Sequence, residues 1–150
     1  MSTLSIATSG LTAASLRLDV TANNIANALT TGPLPAAAGA SGTPAGASGS
    51  SNGSNFPAAY VPLQVNQVDQ TTGSAPGGTL ATVTTVSPSF VVQSDPSAPF
   101  ANQDGLVAAP NIDLASQFIQ LLTAKYDFAA NAKVIQTYAN TTKSLLDIKV

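Results

Sequence analysis

Residues 1–31 read MSTLSIATSGLTAASLRLDVTANNIANALTT, and two sets of residues recur in them every seven positions. One set carries branched apolar side chains, at Leu4, Leu11, Leu18 and Ile25. The other lies three positions further on and carries small ones, at Ala7, Ala14, Thr21 and Ala28. Seven-residue spacing is typical of a helix that packs along another helix, and small residues let the two backbones come close. The stretch therefore predicts a helix of about 45 Å, at 1.5 Å per residue, with a helical partner.

The C-terminal residues repeat this pattern. One heptad set consists of Leu114, Leu121, Phe128 and Ile135. A second set, which Lys125 interrupts, consists of Phe118, Ala132, Ala139 and Leu146. The spacing fits an antiparallel pair inside an ordinary bundle, and it also fits a pair that extends from a compact body. We predict a mainly α fold in which the N- and C-terminal helices pair as a coiled coil, and we assign the sets on both helices to helix pairing and assembly.

We predict helices at residues 1–31 and 112–150. Between them, residues 32–111 divide into three segments. Residues 32–55 are rich in Ala, Gly, Ser and Pro and carry no charge, which predicts a disordered linker. Residues 56–93 contain alternating and β-branched runs, which predict a small β-hairpin or β-rich insert. Residues 94–111 contain three prolines and predict an extended arm before the last helix, which Asn111 or Asp113 can cap.

The composition favours a protein whose surfaces contact other subunits. Charged residues make up 8% of the chain, against roughly 25% in ordinary soluble proteins, and Glu, His, Cys and Trp are absent. The net charge is −2 and Arg17 is the only cation before Lys125, so we expect no nucleic-acid partner. No apolar run is long enough for a membrane span, and the N-terminal residues lack the pattern of a cleaved secretory signal.

No group of residues predicts catalysis. Without His or Cys the chain lacks the ordinary catalytic triads and the soft metal ligands, and its seven acidic residues are spread singly. The glycines of the linker neither follow a strand nor open a helix, so they do not form a phosphate loop. We therefore expect no enzyme, no cofactor, no metal site and no small-molecule substrate.

The run SGLTAASLRLDVTANNIANALTTG, residues 9–32, resembles the N-terminal signature of bacterial flagellar axial proteins, the family of rod and hook subunits. The most specific matches are Asn24, Ile25, Ala26, Asn27, Ala28, Thr30, Thr31 and Gly32. In the C-terminal half, the proximal rod members are most similar, through Asp95, Pro96, Gly105, Pro110 and Asn111. Three positions depart from the family pattern, since Leu29 replaces a polar residue, Ala98 stands where His is common and Leu106 stands where Tyr is common.

The resemblance implies a function as well as a fold. In such proteins the terminal helices of neighbouring subunits pack into a helical tube, and the middle segment forms a small β-rich outer domain. It implies a structural subunit of the proximal rod, which crosses the periplasm and transmits torque. The implied partners are copies of the chain, other rod proteins and the flagellar type III apparatus, which exports subunits without a cleaved signal peptide.

Three alternatives to the proximal rod remain open. The first is another axial protein, from a different part of the rod or from the hook. The second is a surface adhesin or scaffold module with a coiled-coil stalk. The third is an amphipathic peripheral membrane protein, against which the scarcity of basic residues beside the apolar stripe argues.

Overall fold

The computed structural model describes residues 3–35, 56–70 and 77–148. Helix α1 spans Thr3–Ala26 and helix α2 spans Leu114–Asp147. Between them lie four strands, β1 (Leu63–Asp69), β2 (Thr79–Thr85), β3 (Phe90–Ser94) and β4 (Leu106–Pro110). The predicted fold class, two long helices near the ends of the chain with a small β-rich insert, is confirmed. Residues 36–55 of the predicted linker lie outside the described residues.

Contacts divide the chain into two units. The first contains most of α1, the β1–β2 pair and α2, from Met1–Asn23, Leu63–Thr84 and Asp113–Val150. The second contains β3 and β4, from Asn24–Pro62 and Thr85–Ile112. Each unit therefore combines segments that are distant in the sequence.

In the first unit, α1 and α2 pack against each other in opposite directions. Gly10 of α1 lies against Asn131 of α2. Further along α1, Arg17 forms an ion pair of 2.9 Å with Asp127, which comes earlier in α2. An advance along one helix thus corresponds to a step back along the other, which is the antiparallel arrangement.

The ends of the two helices have identifiable causes. The carboxylate of Asp113 accepts a hydrogen bond of 3.1 Å from the Ala115 amide, so Asp113 caps α2 at one of the two positions predicted for a cap. Helix α1 ends at Ala26, whereas the first segment was predicted to continue to residue 31. The chain turns instead, and the Thr30 amide donates to the Asn27 carbonyl at 3.0 Å. Asparagines are poor helix formers, so the helical pattern ends among them.

Strands β1 and β2 form a two-stranded sheet that contacts α1. The Gln70 amide donates to the Gly78 carbonyl at 3.0 Å, and the Asn66 side-chain amide donates to the Thr84 hydroxyl at 2.9 Å, so the strands run antiparallel. The Thr79 amide donates to Ser9 Oγ of α1 at 3.1 Å. Gly78 has φ +101°, and a Cβ there would lie 2.6 Å from Ser9 Oγ, so this close approach requires glycine.

Strands β3 and β4 pair antiparallel in the second unit, with Phe90 opposite Pro110 and Ser94 opposite Leu106. The prediction placed residues 94–111 in one extended arm, whereas the structure divides this segment into a loop at 95–105 and strand β4. Strand β4 is buried from Val107 to Pro110. A single strand leaves its backbone N–H and C=O groups unpaired, so β3 needs a partner strand. The short apolar run of β4 provides that partner.

Candidate assembly surface and family motif

The two predicted sets on α1 differ in burial. Three members of the small set are buried, at Ala7, Ala14 and Thr21. In the branched set Leu11, Leu18 and Ile25 are half-buried and Leu4 is exposed, and Ala28 of the small set is half-buried beyond the end of the helix. Small side chains at the contact let the α1 backbone approach its neighbours closely. The branched side chains therefore keep apolar surface for further contacts.

The predicted sets on α2 remain more open than those on α1. Leu121, Ala132 and Ile135 are half-buried, whereas the exposed members are Leu114, Phe118, Phe128, Ala139 and Leu146. The buried residue of α2 is Ala124, beside the interrupting Lys125, and it was not predicted. Ala124 lies three residues after Leu121 and four before Phe128, so it shares the helix face of the first predicted set.

An open apolar cleft of about 560 Å³ brings four predicted residues together, namely Leu4, Ile135, Ala139 and Leu146. Its lining also includes Tyr138, Thr142 and Lys143. Every described residue of α2 from 139 onwards is exposed. The end of the helix pair therefore has apolar surface that contacts within the described chain do not cover.

Gly10 sets how closely α1 and α2 approach. A Cβ at this position would lie 2.7 Å from Oδ1 of Asn131. The Asn131 side-chain amide donates to the Asp127 carbonyl at 2.8 Å, which holds that side chain in place. Glycine in a helix interior destabilises the helix by about 1 kcal/mol relative to alanine. The close contact with Asn131 explains why position 10 is nevertheless a glycine.

Arg17 connects three elements of the first unit. Its guanidinium pairs with Asp127 of α2 at 2.9 Å and also donates to the side-chain carbonyl of Gln67 in β1. The sequence around Asp127 predicts no partner for it, because the nearest cation, Lys125, is two residues away and cannot share a helix face with it. The available signal was that Arg17 is the only cation in the first 124 residues.

Asn24, the first residue of the family motif, is buried in the second unit. Its Oδ1 accepts a hydrogen bond of 3.1 Å from the hydroxyl of Tyr60. Burial raises the pKa of Tyr60, so the hydroxyl keeps its proton and remains a donor. The spacing of Asn23, Asn24 and Asn27 fits both fraying of the helix end and hydrogen bonds to a neighbouring subunit. For Asn24 the structure provides a partner within the chain.

Gly32, at the other end of the motif, is held between two segments. Its amide and carbonyl exchange two hydrogen bonds of 2.9 Å with Ala108 of β4. A Cβ on Gly32 would lie 2.7 Å from the carbonyl carbon of Ala58 and also against the Ala59 amide. Only glycine leaves room for this backbone, so Gly32 closes the second unit around β4.

The C-terminal motif residues shape the loop and the far end of the β3–β4 pair. The Asp95 amide donates to the Gly105 carbonyl at 2.9 Å, and Gly105 has φ +71° with Pro96 packed against it. Pro110 lies opposite Phe90 at the other end of the sheet. There the Asn111 side-chain amide donates to the Pro88 carbonyl at 2.9 Å. These motif residues therefore determine local structure in the second unit.

The chemistry of these surfaces is that of protein contacts. In the described ranges no three acidic or other metal-binding side chains come together. No helix within those ranges is long and apolar enough to span a membrane. Apolar, hydroxyl and amide groups make up most of the exposed faces, with few charges among them, so the arrangement suits the binding of other protein surfaces.

Comparisons with known proteins place this arrangement in a family. A family model described as flagella basal body rod protein matches residues 4–33, and a model described as flagellar basal body rod FlgEFG protein C-terminal matches residues 103–148. The flagellar basal-body rod protein FlgC of Escherichia coli O157:H7 is 32% identical over 144 residues, which cover 94% of this chain and 88% of the relative. This chain belongs to the FlgC family of flagellar basal-body rod proteins.

Other FlgC proteins agree with this placement. FlgC of Salmonella typhimurium (strain LT2) is also 32% identical over 94% of the chain, and so is FlgC of Yersinia enterocolitica. The resemblance to rod proteins is thereby confirmed, and the chain is a structural subunit of the flagellar basal-body rod. The N-terminal model covers α1 from Leu4 and the motif up to Gly32, and the C-terminal model covers β4 and all of α2.

Proposed function

We propose that this FlgC-family protein is a subunit of the proximal rod, where its terminal helices assemble into the periplasm-spanning shaft that transmits torque from the motor. The observation that carries the proposal is the apolar surface that remains on α2 after pairing with α1, at Phe118, Ile119, Leu122, Tyr126, Leu145 and Leu146. These side chains form two groups, at 118–126 and at 145–146, and exposed apolar patches mark sites of protein interaction. In a rod subunit, neighbouring subunits cover these patches.

The partners in this proposal are copies of the chain, other rod proteins and the flagellar type III export apparatus. A chain without cysteine has no disulfide to reduce before it is exported unfolded. With 8% charged residues, most of its surface can be buried among subunits at small electrostatic cost. We further propose that it reaches the rod without a cleaved signal peptide, and that it has no enzymatic activity.

Cryo-electron microscopy of basal bodies tests this function directly. The basal bodies come from the bacterium that encodes the chain and from a strain that lacks its gene. We expect paired-helix density of this chain near the membrane-proximal end of the rod, and no rods without the gene. Complete rods in the deletion strain would contradict the proposal. Secretion that continues after the type III apparatus is inactivated would contradict the export route.

A second candidate is another axial position, in the distal rod or the hook. The match of residues 103–148 to the FlgEFG C-terminal model favours it. The copy number per basal body, measured by quantitative mass spectrometry, separates the two, because a hook component is far more abundant than a rod component. Stable folded oligomers of the purified protein, formed without any role for the flagellar export apparatus, would instead support the adhesin or scaffold alternative.

A further inference from the structure

An apolar ridge lies on the side of α2 roughly opposite the buried Ala124. It consists of Ile119, Leu122 and Tyr126, which are 66%, 51% and 70% exposed. Their spacing of i, i+3 and i+7 places them on one face of the helix. These three residues are hereafter the α2 ridge, and they present bulky apolar side chains to the outside of the first unit.

A stripe of small residues runs along the exposed side of α1. Its members, hereafter the α1 stripe, are the exposed Ser5, Thr8, Thr12, Asp19 and Ala22 and the half-buried Ser15. The Thr8 hydroxyl donates to the Leu4 carbonyl at 2.6 Å, and the Thr12 hydroxyl donates to the Thr8 carbonyl at 3.0 Å. Because these hydroxyls have acceptors within their own helix, an apolar surface can cover them without leaving a buried donor unsatisfied.

The α1 stripe contains a negative charge, and the α2 ridge has a positive charge beside it. Asp19 lies within the stripe, and Lys125 immediately precedes Tyr126 of the ridge. In the part of the chain that the structure describes, neither forms an ion pair, whereas Arg17 and Asp127 pair with each other. Asp19 and Lys125 therefore remain available to a partner with complementary charge.

We propose that the α2 ridge of one copy packs into the α1 stripe of a second copy, with Lys125 beside Asp19. The inference rests on the proposed rod function and names the faces that join two copies. Bulky side chains entering a row of small ones repeat the way in which small α1 residues admit a neighbour within one chain. Because the two surfaces differ, the contact is heterologous and can repeat without closing, as a helical shaft requires.

The size of the contact explains why it forms in the rod. The ridge extends over about 10 Å of helix. Such a patch is smaller than the roughly 800 Å² per partner that stable protein pairs bury. Two isolated copies therefore separate, and the contact persists where each subunit touches several neighbours at once.

Disulfide crosslinking tests the contact, because the chain contains no cysteine. Two differently tagged copies are expressed together in the native bacterium, one with Leu122→Cys and the other with Ser15→Cys or Ala22→Cys. Beside an Asp19–Lys125 pair, Leu122 faces Ser15 if the two helices run parallel and Ala22 if they run antiparallel. Gln120→Cys replaces Leu122→Cys as the control, since Gln120 is exposed at the same height on a different face of α2.

Purified basal bodies are oxidised, and mixed-tag dimers are counted. We expect Leu122→Cys to give about tenfold more mixed dimer than Gln120→Cys with one of the two stripe positions, because a disulfide requires Cα atoms within about 7 Å. Basal bodies that contain both copies without this excess overturn the contact and leave the rod function intact. A crosslink to another axial protein would show that this protein, and not a second copy of the chain, packs against the substituted face, and would overturn the proposal. Absence of the unsubstituted chain from basal bodies overturns both proposals.

A charge exchange checks the same contact without cysteine. Asp19→Lys places two cations side by side in the proposed contact, and Lys125→Asp in the same chain restores opposite charges. We expect several-fold less of the single variant in basal bodies, and recovery of most of that loss in the double variant. Equal incorporation of the single variant and the unsubstituted chain overturns the pairing of Lys125 with Asp19.

Discussion

The β3–β4 region and helix α2 use their residues in opposite ways. Strand β4 is buried from Val107 to Pro110, and the backbone of Gly32 pairs with it. Helix α2 is 34 residues long, and the residue it buries is Ala124. One region completes its hydrogen bonds and packing within the chain, whereas the other leaves large apolar side chains exposed.

This difference separates the residues that fold the chain from those that assemble it. Motif residues in the second unit sit where only glycine fits or where a buried amide needs a partner, so changing them should lower the stability of a single copy. Exposed residues of α2 contribute little to that stability, because burial provides most of the favourable free energy of folding. Their effect should appear when subunits meet.

The largest effect should come from a charge on the helix pair. Leu18→Asp or Phe128→Asp places a carboxylate where we propose that helices pack, and an unpaired buried charge is strongly unfavourable. We expect loss of swimming and absence of rods in electron micrographs, whereas Leu18→Met and Phe128→Leu retain both. Normal basal bodies with either aspartate variant would show that these residues do not support assembly.

The second effect tests whether the close backbone packing at Gly32 stabilises the β3–β4 region. Gly32→Val inserts side-chain atoms into the backbone of residues 58 and 59. We expect a loss of about 2–3 kcal/mol in the free energy of unfolding, measured with urea on the purified chain. The control, Leu29→Val, changes a side chain that is 87% exposed and should stay within about 0.5 kcal/mol of the parent. Equal stability of the two variants would mean that the chain can open around Gly32.

The sequence predicted the regions whose structure depends on local spacing. Heptad spacing selected Ala7, Ala14 and Thr21, which are buried, and the two long helices that frame the fold. Periodicity reports which face of a helix is apolar, and it contains no information about which distant segment lies against that face. The pairing of Gly32 with Ala108 therefore could not be predicted from spacing alone.

The same limit applies to charged and buried positions. Arg17 and Asp127 are 110 residues apart, so neither sequence neighbourhood indicates the ion pair. Ala124 shares a helix face with Leu121 and Phe128, and its burial depends on how the chain packs that face against α1 and β1–β2, which spacing does not report. The residues that sequence reasoning missed are thus those whose roles depend on the register between two helices.

The third effect concerns the hydrogen bond between Tyr60 and Asn24. Tyr60→Phe removes the donor and leaves the buried Asn24 oxygen without that bond, which costs about 1 kcal/mol in unfolding free energy. Tyr126→Phe is the matched control, because Tyr126 is 70% exposed and should change stability by less than about 0.5 kcal/mol. A comparable loss in both variants would remove the contrast between the β3–β4 region and α2.

The buried hydroxyl of Tyr60 also predicts how the stability of the chain changes in alkaline solution. Burial raises its pKa in the folded chain, so its contribution to stability is fully present below the ordinary pKa of tyrosine, about 10, and is lost as the pH rises through the folded value. The stability difference between the parent chain and Tyr60→Phe should therefore shrink above about pH 10. A difference that does not change with pH would contradict the burial of this hydroxyl.

The fourth effect is smaller and belongs to the first unit. In a double-mutant cycle, Arg17→Ala and Asp127→Ala should show a coupling of about 0.5–1 kcal/mol, because the Asp127 carboxylate is half exposed and water screens the pair. High salt should reduce this coupling. A coupling near zero at low salt would mean that Gln67, and not Asp127, is the partner that holds Arg17.

The smallest effect is the pH dependence of the α2 cap. Hydrogen bonds from the Ser116 hydroxyl and from the Ala115 amide lower the pKa of Asp113. The charged form therefore stabilises the folded chain above the ordinary pKa of aspartate, and this contribution disappears as the pH falls through the lowered value. Urea unfolding between pH 7 and pH 2 should show this loss, and Ser116→Ala should move it to higher pH because one donor is gone. Identical acid profiles for the parent and Ser116→Ala would show that the serine hydroxyl does not hold the carboxylate. The start of α2 would then depend on the backbone amides of residues 115 and 116, and α2 would have one local contact fewer to stabilise it before subunits meet.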